Sequence, residues 1–592
     1  MYRLPFVAKP CHVDCEKRCG VTFDKCPTFH NLPADLKGAC RENLHLLQYL
    51  HMLPLDEMGL PEYHVKLSRG MRGAQNRNLL YPVEGRIFIH ILANPDDIRD
   101  HYIPVEPSLL RDMDHVLEEV EQRLADHVEE LEGVSSDEKR LEVILKIMDR
   151  MVSTKGGNGG KAHRGGGRNG SRTQQAGARG KGGKNGKNAL AVTTTQYQGL
   201  RYLLKRKLEG LGVLEPLIQD PYIEDISCSG VGHIFVEHKI FGGLKTIIGF
   251  EDHEELDKFV IGLAERIKHP VTFRDPCVDA TLPDGSRINI VYGTDVSKRG
   301  SNFTIRKFSP VPISVIELIQ YGTISYEMAA YMSIIIQDQM NVFVSGETAS
   351  GKTTLLNALA TFLPPESKVV SIEDTPEIQV PHPNWIRGVT RGSTKSSDAS
   401  EVSMFDLLKA SLRQRPNIII VGEIRGEEGN IAFQAMQTGH ACMSTFHAAS
   451  VTKLVQRITG SPISVPKSYV DNLNVVVICQ MVHLPNGQSA RRVTSISEIV
   501  SYDSVTDTFS FIEVFTWDPI EDTFRFPGYR NSYLLEEKIA AKRGIPHDKR
   551  HQIYSQIKQR AEVLKRIQER DITNFYEVYG VLSKAYREGY FR

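Results

Sequence analysis

No apolar run in this 592-residue chain approaches the roughly 18 residues that a bilayer-crossing helix requires, so no transmembrane segment is expected. The opening Met1-Tyr2-Arg3-Leu4-Pro5-Phe6 is not followed by the apolar stretch of a secretory leader. Together these absences predict a cytoplasmic protein. Net charge is missing as well: 72 Lys and Arg balance 72 Asp and Glu, so attraction to nucleic acid or acidic lipid has to come from local patches. Cysteine is sparse and unevenly placed. Cys228, Cys277, Cys442 and Cys479 stand among apolar neighbours and read as small core residues. Cys11, Cys15, Cys19, Cys26 and Cys40 cluster near the start. The first three repeat every four residues, so a helix would carry them on one face, and Cys26 would complete four thiolates. Such a set suits Zn²⁺ or an iron–sulfur cluster; inert buried thiols are the alternative.

Composition divides the chain. Residues 1–80 form a cysteine-containing segment with a leucine-rich stretch, Asn43 to Leu50. Residues 81–152 read as an α+β domain: a strand over Gly85–Leu92, then amphipathic helix with Leu109, Met113, Val116, Leu117, Val120 and Leu124 at helical spacing. The stretch Ser153–Asn188 has no acidic, large aliphatic or aromatic residue but many Gly, Lys and Arg. It cannot bury a core, so 153–189 is expected to be a disordered linker. As a free coil its ends would average about 30–35 Å apart. It reads as a solvated tether or as a basic contact for RNA, DNA or anionic lipid. Residues 190–310 form a second α+β module, with strands at His233–His238 and Arg287–Val291 and a turn at Pro283-Asp284-Gly285-Ser286. Residues 311–500 alternate strand and helix as a nucleotide-binding α/β domain does. Residues 501–592 are expected to be a helical extension. Its last helices present Ile553, Ile557, Ala561, Leu564 and Ile567, then Phe575, Val578, Leu582 and Tyr586 behind a cap at Asp571.

Gly346-Glu347-Thr348-Ala349-Ser350-Gly351-Lys352-Thr353, followed by Thr354, fits the phosphate-loop pattern G-x-x-x-x-G-K-[ST] at every fixed position. An apolar strand, Asn341–Val344, precedes it and a helix follows. Glycines let backbone N–H groups wrap phosphate oxygens, Lys352 reaches the β- and γ-phosphates, and Thr353 is placed to ligate Mg²⁺. ATP and Mg²⁺ are therefore expected. In an open parallel sheet the ligand lies beyond the carboxyl ends of the strands. There the sequence puts Glu373, Asp374 and Glu377 after Lys368–Ile372, Glu423 after Asn417–Val421, and His447 after Ala441–Thr445. Glu423 is expected to position the attacking water, the other carboxylates to support metal or base, and His447 to sense the γ-phosphate as a neutral hydrogen-bonding group. His440 reads equally as a satisfied structural histidine.

These boxes carry a resemblance. Ile372-Glu373-Asp374-Thr375-Pro376-Glu377, Ser411-Leu412-Arg413-Gln414-Arg415-Pro416, Val421-Gly422-Glu423-Ile424-Arg425-Gly426 and Thr438-Gly439-His440 through Ser444-Thr445-Phe446-His447-Ala448 occur in order. The segment 190–500 resembles the type II/type IV secretion ATPase superfamily, above all its archaeal pilus and archaellum branch. The resemblance implies a RecA-like P-loop ATPase core behind an α+β module and an N-terminal extension. It implies a homo-hexameric ring at the inner face of the membrane, a polytopic membrane platform protein, and a pilin-like or secreted substrate. It also implies that Arg287 and Arg306 reach the phosphates, with Arg413 and Arg415 as alternative fingers. Gly422 stands where most P-loop ATPases carry an aspartate, so Thr353 and water are expected to hold the metal. A nucleic-acid translocase of the RecA-like ring type is the alternative, disfavoured because no interleaved aromatic and basic platform for bases is present.

Overall fold

A computed structural model describes residues 4–8, 26–74, 76–83, 86–108, 113–131, 137–154, 189–309, 311–391, 402–485, 487 and 489–590. The chain divides into two compact units, Met1–Phe308 and Ser309–Arg592.

The first unit is built on strands β1 (Glu62–Tyr63), β2 (Asn78–Val83), β3 (Ile87–Leu92), β4 (His101–Val105), β7 (Ile223–Cys228), β8 (Gly232–His238), β9 (Gly242–Phe250), β10 (Cys277–Thr281), β11 (Arg287–Val291) and β12 (Asn302–Arg306), with β5 (Val152–Thr154) and β6 (Leu190–Val192) set apart. The ten form one sheet in the order β1-β2-β3-β4-β9-β8-β7-β12-β11-β10. The segments that composition separates at 81–152 and 190–310 thus share a sheet. They meet where β4 pairs in parallel with β9, His101 opposite Lys245. A buried polar knot ties the same seam: Tyr81 and Tyr102 donate to Asp220 Oδ2 at 2.7 and 2.8 Å, and the Tyr222 N–H donates to Oδ1 at 2.8 Å. Asp220 and both tyrosines are fully buried, and burial raises the Asp220 pKa.

Cys26 does not stand as an exposed ligand. It is buried beside Leu36, Cys40, Leu46 and Leu50; its Sγ accepts from the Phe29 N–H at 3.4 Å, capping the single turn Pro27–His30, and lies 3.1 Å from His51 Nε2. Cys11, Cys15 and Cys19 lie outside the described residues. Among the described residues no three His, Cys, Asp or Glu come together as a metal site. The basic stretch 155–188 also lies outside them. Its flanks, β5 and β6, pair in parallel, Thr154 opposite Val192, so the expected coil-like separation of its ends does not hold. A free-chain estimate fails once both ends join one strand ladder.

The second unit holds β13 (Val342–Gly346), β14 (Val369–Glu373), β15 (Trp385–Val389), β16 (Ile418–Glu423), β17 (Ala441–Phe446), β18 (Val475–His483), β19 (Ser489–Asp503), β20 (Thr508–Asp518) and β21 (Thr523–Arg525). They form one sheet in the order β15-β14-β16-β17-β13-β18-β19-β20-β21. The strands from β15 to β18 run parallel, which is why β13, β14 and most of β16 are buried on both faces and mostly apolar. Helices Tyr326–Gln337 and Lys352–Ala360 bury Met328, Ile335, Leu355 and Leu359 in the same cluster as Val342 and Val344. The strands β18 to β21 then turn back as an antiparallel meander. The tail expected to be helical from 501 therefore opens as sheet; its alternation over 508–518 is masked by exposed residues on both faces. Helix Ile553–Glu569 buries Ile557, Leu564 and Ile567 against the core, and Arg560 with them. Helix Phe575–Arg587 is capped by Asn574, whose Oδ1 accepts from the Tyr576 N–H at 3.0 Å; Asp571 takes a left-handed turn three residues earlier. No described helix is long and apolar enough to cross a membrane.

Replacing Asp220 by Leu strips two buried tyrosines of their acceptor. The expected loss of stability is about 2–5 kcal/mol, read as a lower urea midpoint by circular dichroism, whereas Asp220→Asn keeps an acceptor and loses less.

Candidate functional site at the carboxyl ends of the parallel strands

β13 delivers the chain to Gly346, where the backbone turns sharply. A Cβ at Gly346 would stand 2.2 Å from the Cys479 carbonyl oxygen and 2.6 Å from Ser350 Oγ, so only glycine fits. Ala349 (φ +62°) and Gly351 (φ +91°) both take left-handed conformations before helix Lys352–Ala360 starts. The Glu347 carbonyl accepts from Ser350 Oγ and Lys352 Nζ, each at 2.8 Å, and the Gly351 carbonyl accepts from the Leu355 N–H at 2.9 Å. Among the described residues no acceptor meets the N–H groups of Thr348, Ala349, Gly351, Lys352 or Thr353. Unpaired amides at a helix N-terminus, beside a lysine, form an anion cradle. Burial lowers the Lys352 pKa, although nearby Glu423 acts in the opposite sense. Thr353 and Thr354 are half-buried on the first turn.

Glu423 is brought to this cradle by a bulge. The register between β16 and β17 shifts between Val421 and Glu423, and Thr445 Oγ1 donates to the extra residue's carbonyl, Gly422 O, at 2.6 Å. Bulges redirect a side chain at a sheet edge or end, and here the redirected group is the Glu423 carboxylate. Its Oε2 accepts from Arg425 Nε at 2.9 Å and also from Arg425 Nη2. Its Oε1 lies 2.6 Å from His447 Nε2, yet no donor among the described residues meets this buried atom in hydrogen-bond alignment. His447 Nδ1 in turn lies 3.4 Å from Lys352 Nζ. Burial lowers the His447 pKa; Glu423 raises it, and Lys352, Arg425 and Arg457 lower it further. Lys352, His447 and Glu423 form a continuous line from the loop to the tip of β16.

Glu373 ends the neighbouring strand but faces away from that line. Oε1 accepts the N–H groups of Glu377 and Ile378 at 2.7 and 2.5 Å, and Oε2 accepts Arg387 Nε at 3.2 Å. Burial, partly offset by these donors and Arg387, pushes its pKa up to about 7. A Cβ on Gly422, the position that elsewhere carries an aspartate, would stand 3.3 Å from Glu373 Cγ, a tight contact. The exposed Asp374 accepts from Thr390 Oγ1 at 3.2 Å, and the Glu377 carbonyl accepts from Asn357 Nδ2 at 3.0 Å. His440 bonds Thr438 at the start of β17, the opposite end from His447. Arg413 and Arg415 are exposed in the turn that enters β16, again the end away from Glu423. Arg287 and Arg306 belong to the first unit, where they stand opposite one another on β11 and β12; Arg306 is also opposite Asp225 of β7. Sequence reasoning missed Arg491. Its Nε donates to the Ala349 carbonyl at 2.9 Å from 142 positions downstream, and no local motif marks it.

The residues present fit a nucleoside triphosphate with Mg²⁺: free loop amides, a turn at Gly346 with no room for a side chain, a lysine and a threonine at the helix start, and a buried carboxylate oxygen without an aligned donor. Fold and site together define an α/β P-loop enzyme with a RecA-like core, of the kind that hydrolyses ATP. Residues 207–504, half of the chain, match the family model described as type II/IV secretion system protein. An uncharacterized protein of Methanocaldococcus jannaschii, MJ0900, is 42% identical over 568 residues, 94% of this chain and 97% of its own. The type IV secretion system protein VirB11 of Brucella suis is 27% identical over 316 residues, 48% of this chain and 87% of its own. The chain belongs to the type II/IV secretion system protein family. Among solved structures, the Brucella suis VirB11 ATPase with sulphate (23% identity, 48% of this chain and 92% of that one, TM-score 0.24) and the pilus retraction motor PilT with ADP (17%, 48% and 80%, TM-score 0.35) are distant likenesses.

The Glu373 shift carries a pH signature. Its folded pKa lies above the ordinary 4.5, so its contribution to stability is present below pH 4.5 and is lost as pH rises through about 7. Glu373→Gln is expected to flatten the fall in stability between those limits, measured by urea titration at stepped pH.

Proposed function

We propose that this chain is an ATP-hydrolysing motor that drives assembly of a surface filament or secretion of protein through a membrane platform, as in the archaeal filament branch of its family. The observation that carries the reading is the line Lys352–His447–Glu423 beside an open phosphate loop. Glu423 holds the attacking water and draws off its proton through Oε1. His447, neutral, ties Glu423 to Lys352, so a change at the lysine that meets the γ-phosphate is felt at the carboxylate. Thr353 and water would hold Mg²⁺, which would supply charge neutralisation on the phosphate oxygens. Glu373 acts as a brace: it fixes the 374–378 turn and Arg387 next to the site. The family resemblance assigns Arg287 and Arg306, opposite one another on β11 and β12, to the transferring phosphate, and a homo-hexamer at the cytoplasmic face of the membrane gives six nucleotide sites. The cargo is a pilin-like or secreted protein, not nucleic acid.

Glu423→Gln is expected to retain ATP binding and to lose at least about a hundredfold in turnover, comparable to other losses of a positioned base. Arg306→Ala is expected to lower turnover about 10³-fold or more while thermal unfolding stays where it was. Phosphate release and sedimentation with nucleotide check both claims. A monomer that hydrolyses ATP at the full rate, or stimulation by DNA and not by membranes, would refute the motor.

A further inference from the structure

The carbonyls of a phosphate loop need partners outside the cradle as much as its amides need a ligand inside. Glu347 and Gly351 find theirs within the loop and helix, but Ala349 does not. Its carbonyl is held by Arg491 of β19, Nε to oxygen 2.9 Å. The arginine stem also crosses the loop: a Cβ on Gly351 would stand 3.2 Å from Arg491 Cδ. Ala349 is the loop's non-glycine residue at positive φ, +62°. Such a conformation costs on the order of 1–3 kcal/mol and persists only when its surroundings hold it. Because the peptide is planar and trans, turning the Ala349 carbonyl outward turns the Ser350 N–H to the other side. That N–H has only a long 3.4 Å contact with the Glu347 carbonyl.

Arg491 is itself held. The next residue, Arg492, is buried on the other face of β19 and binds Asp522 with both ends, Nε to Oδ1 and Nη2 to Oδ2, each at 2.8 Å. Its Nη1 donates to the Arg491 carbonyl at 3.0 Å and to that of Tyr321 at 3.1 Å. Asp522, in the turn between β20 and β21, also accepts from Trp517 Nε1 at 2.9 Å. One chain of hydrogen bonds therefore runs from the end of the antiparallel meander to the phosphate loop.

We propose that Arg491 is a positioning residue for nucleotide binding, and that the Arg492–Asp522 pair holds it in place, so the meander sets the shape of the phosphate loop. The proposal rests on the loop being a nucleotide site. It is tested on the full chain by ATP hydrolysis and, separately, by equilibrium dialysis of ATP without Mg²⁺. Arg491→Met keeps the stem and removes the donor: KM and Kd for ATP are expected to rise about tenfold, the worth of one charge-assisted hydrogen bond, with kcat within about threefold and thermal unfolding unchanged. Arg491→Lys, which still donates, is expected to recover most of the affinity. Asp522→Asn is expected to raise Kd about two- to fivefold alone and to add little on top of Arg491→Met, since coupled residues are not additive. Wild-type Kd in Arg491→Met, no recovery with Lys, or full additivity with Asp522→Asn would overturn it. A wild type that binds ATP but never hydrolyses it would refute the motor while leaving the Kd comparison to decide this proposal.

Discussion

Everything at the site depends on one backbone constraint: a turn between β13 and a helix in which the peptide planes are flipped so that donors gather on one side. Gly346 permits the turn because the Cys479 carbonyl leaves no room for a side chain. Two left-handed residues, Ala349 and Gly351, complete it. The carbonyls displaced by this arrangement are then satisfied by Ser350, Lys352, Leu355 and Arg491. Lys352 is meanwhile occupied with the loop's own Glu347 carbonyl, so an anion bound in the cradle would have to compete with that oxygen for the ammonium.

The parallel sheet converts this local geometry into chemistry. β13, β16 and β17 end together, so residues far apart in sequence arrive within bonding distance, and the bulge at Gly422 turns Glu423 toward His447. The two acidic strand ends have opposite fates. Glu373 has both oxygens supplied, by backbone N–H groups and Arg387; Glu423 keeps one oxygen without an aligned donor among the described residues. Identical side chains at equivalent positions thus differ by what surrounds them.

What could be read in advance was whatever is encoded locally. The phosphate loop, the strands at 233–238 and 287–291, and Glu423 and His447 at strand ends all follow from short-range pattern. What could not be read depends on partners distant in sequence. The pairing of β4 with β9 involves two and two residues in register, His101 with Lys245 and Tyr102 with Thr246, and nothing in either strand announces the other. The orientation of the Glu373 carboxylate is set by a turn four and five residues on. Arg491 looks like any basic residue of an exposed strand, and Asp571 lost the cap to Asn574 because the chain makes a left-handed turn between the last two helices.

The parallel pairing of β5 with β6 has a consequence for how this chain can vary. The strands on either side of residues 155–188 lie next to one another, Val152 opposite Leu190 and Thr154 opposite Val192. Closing the chain between two such neighbours costs only about 0.6 kcal/mol more for each doubling of the length in between, so this pairing tolerates a longer or a shorter intervening stretch.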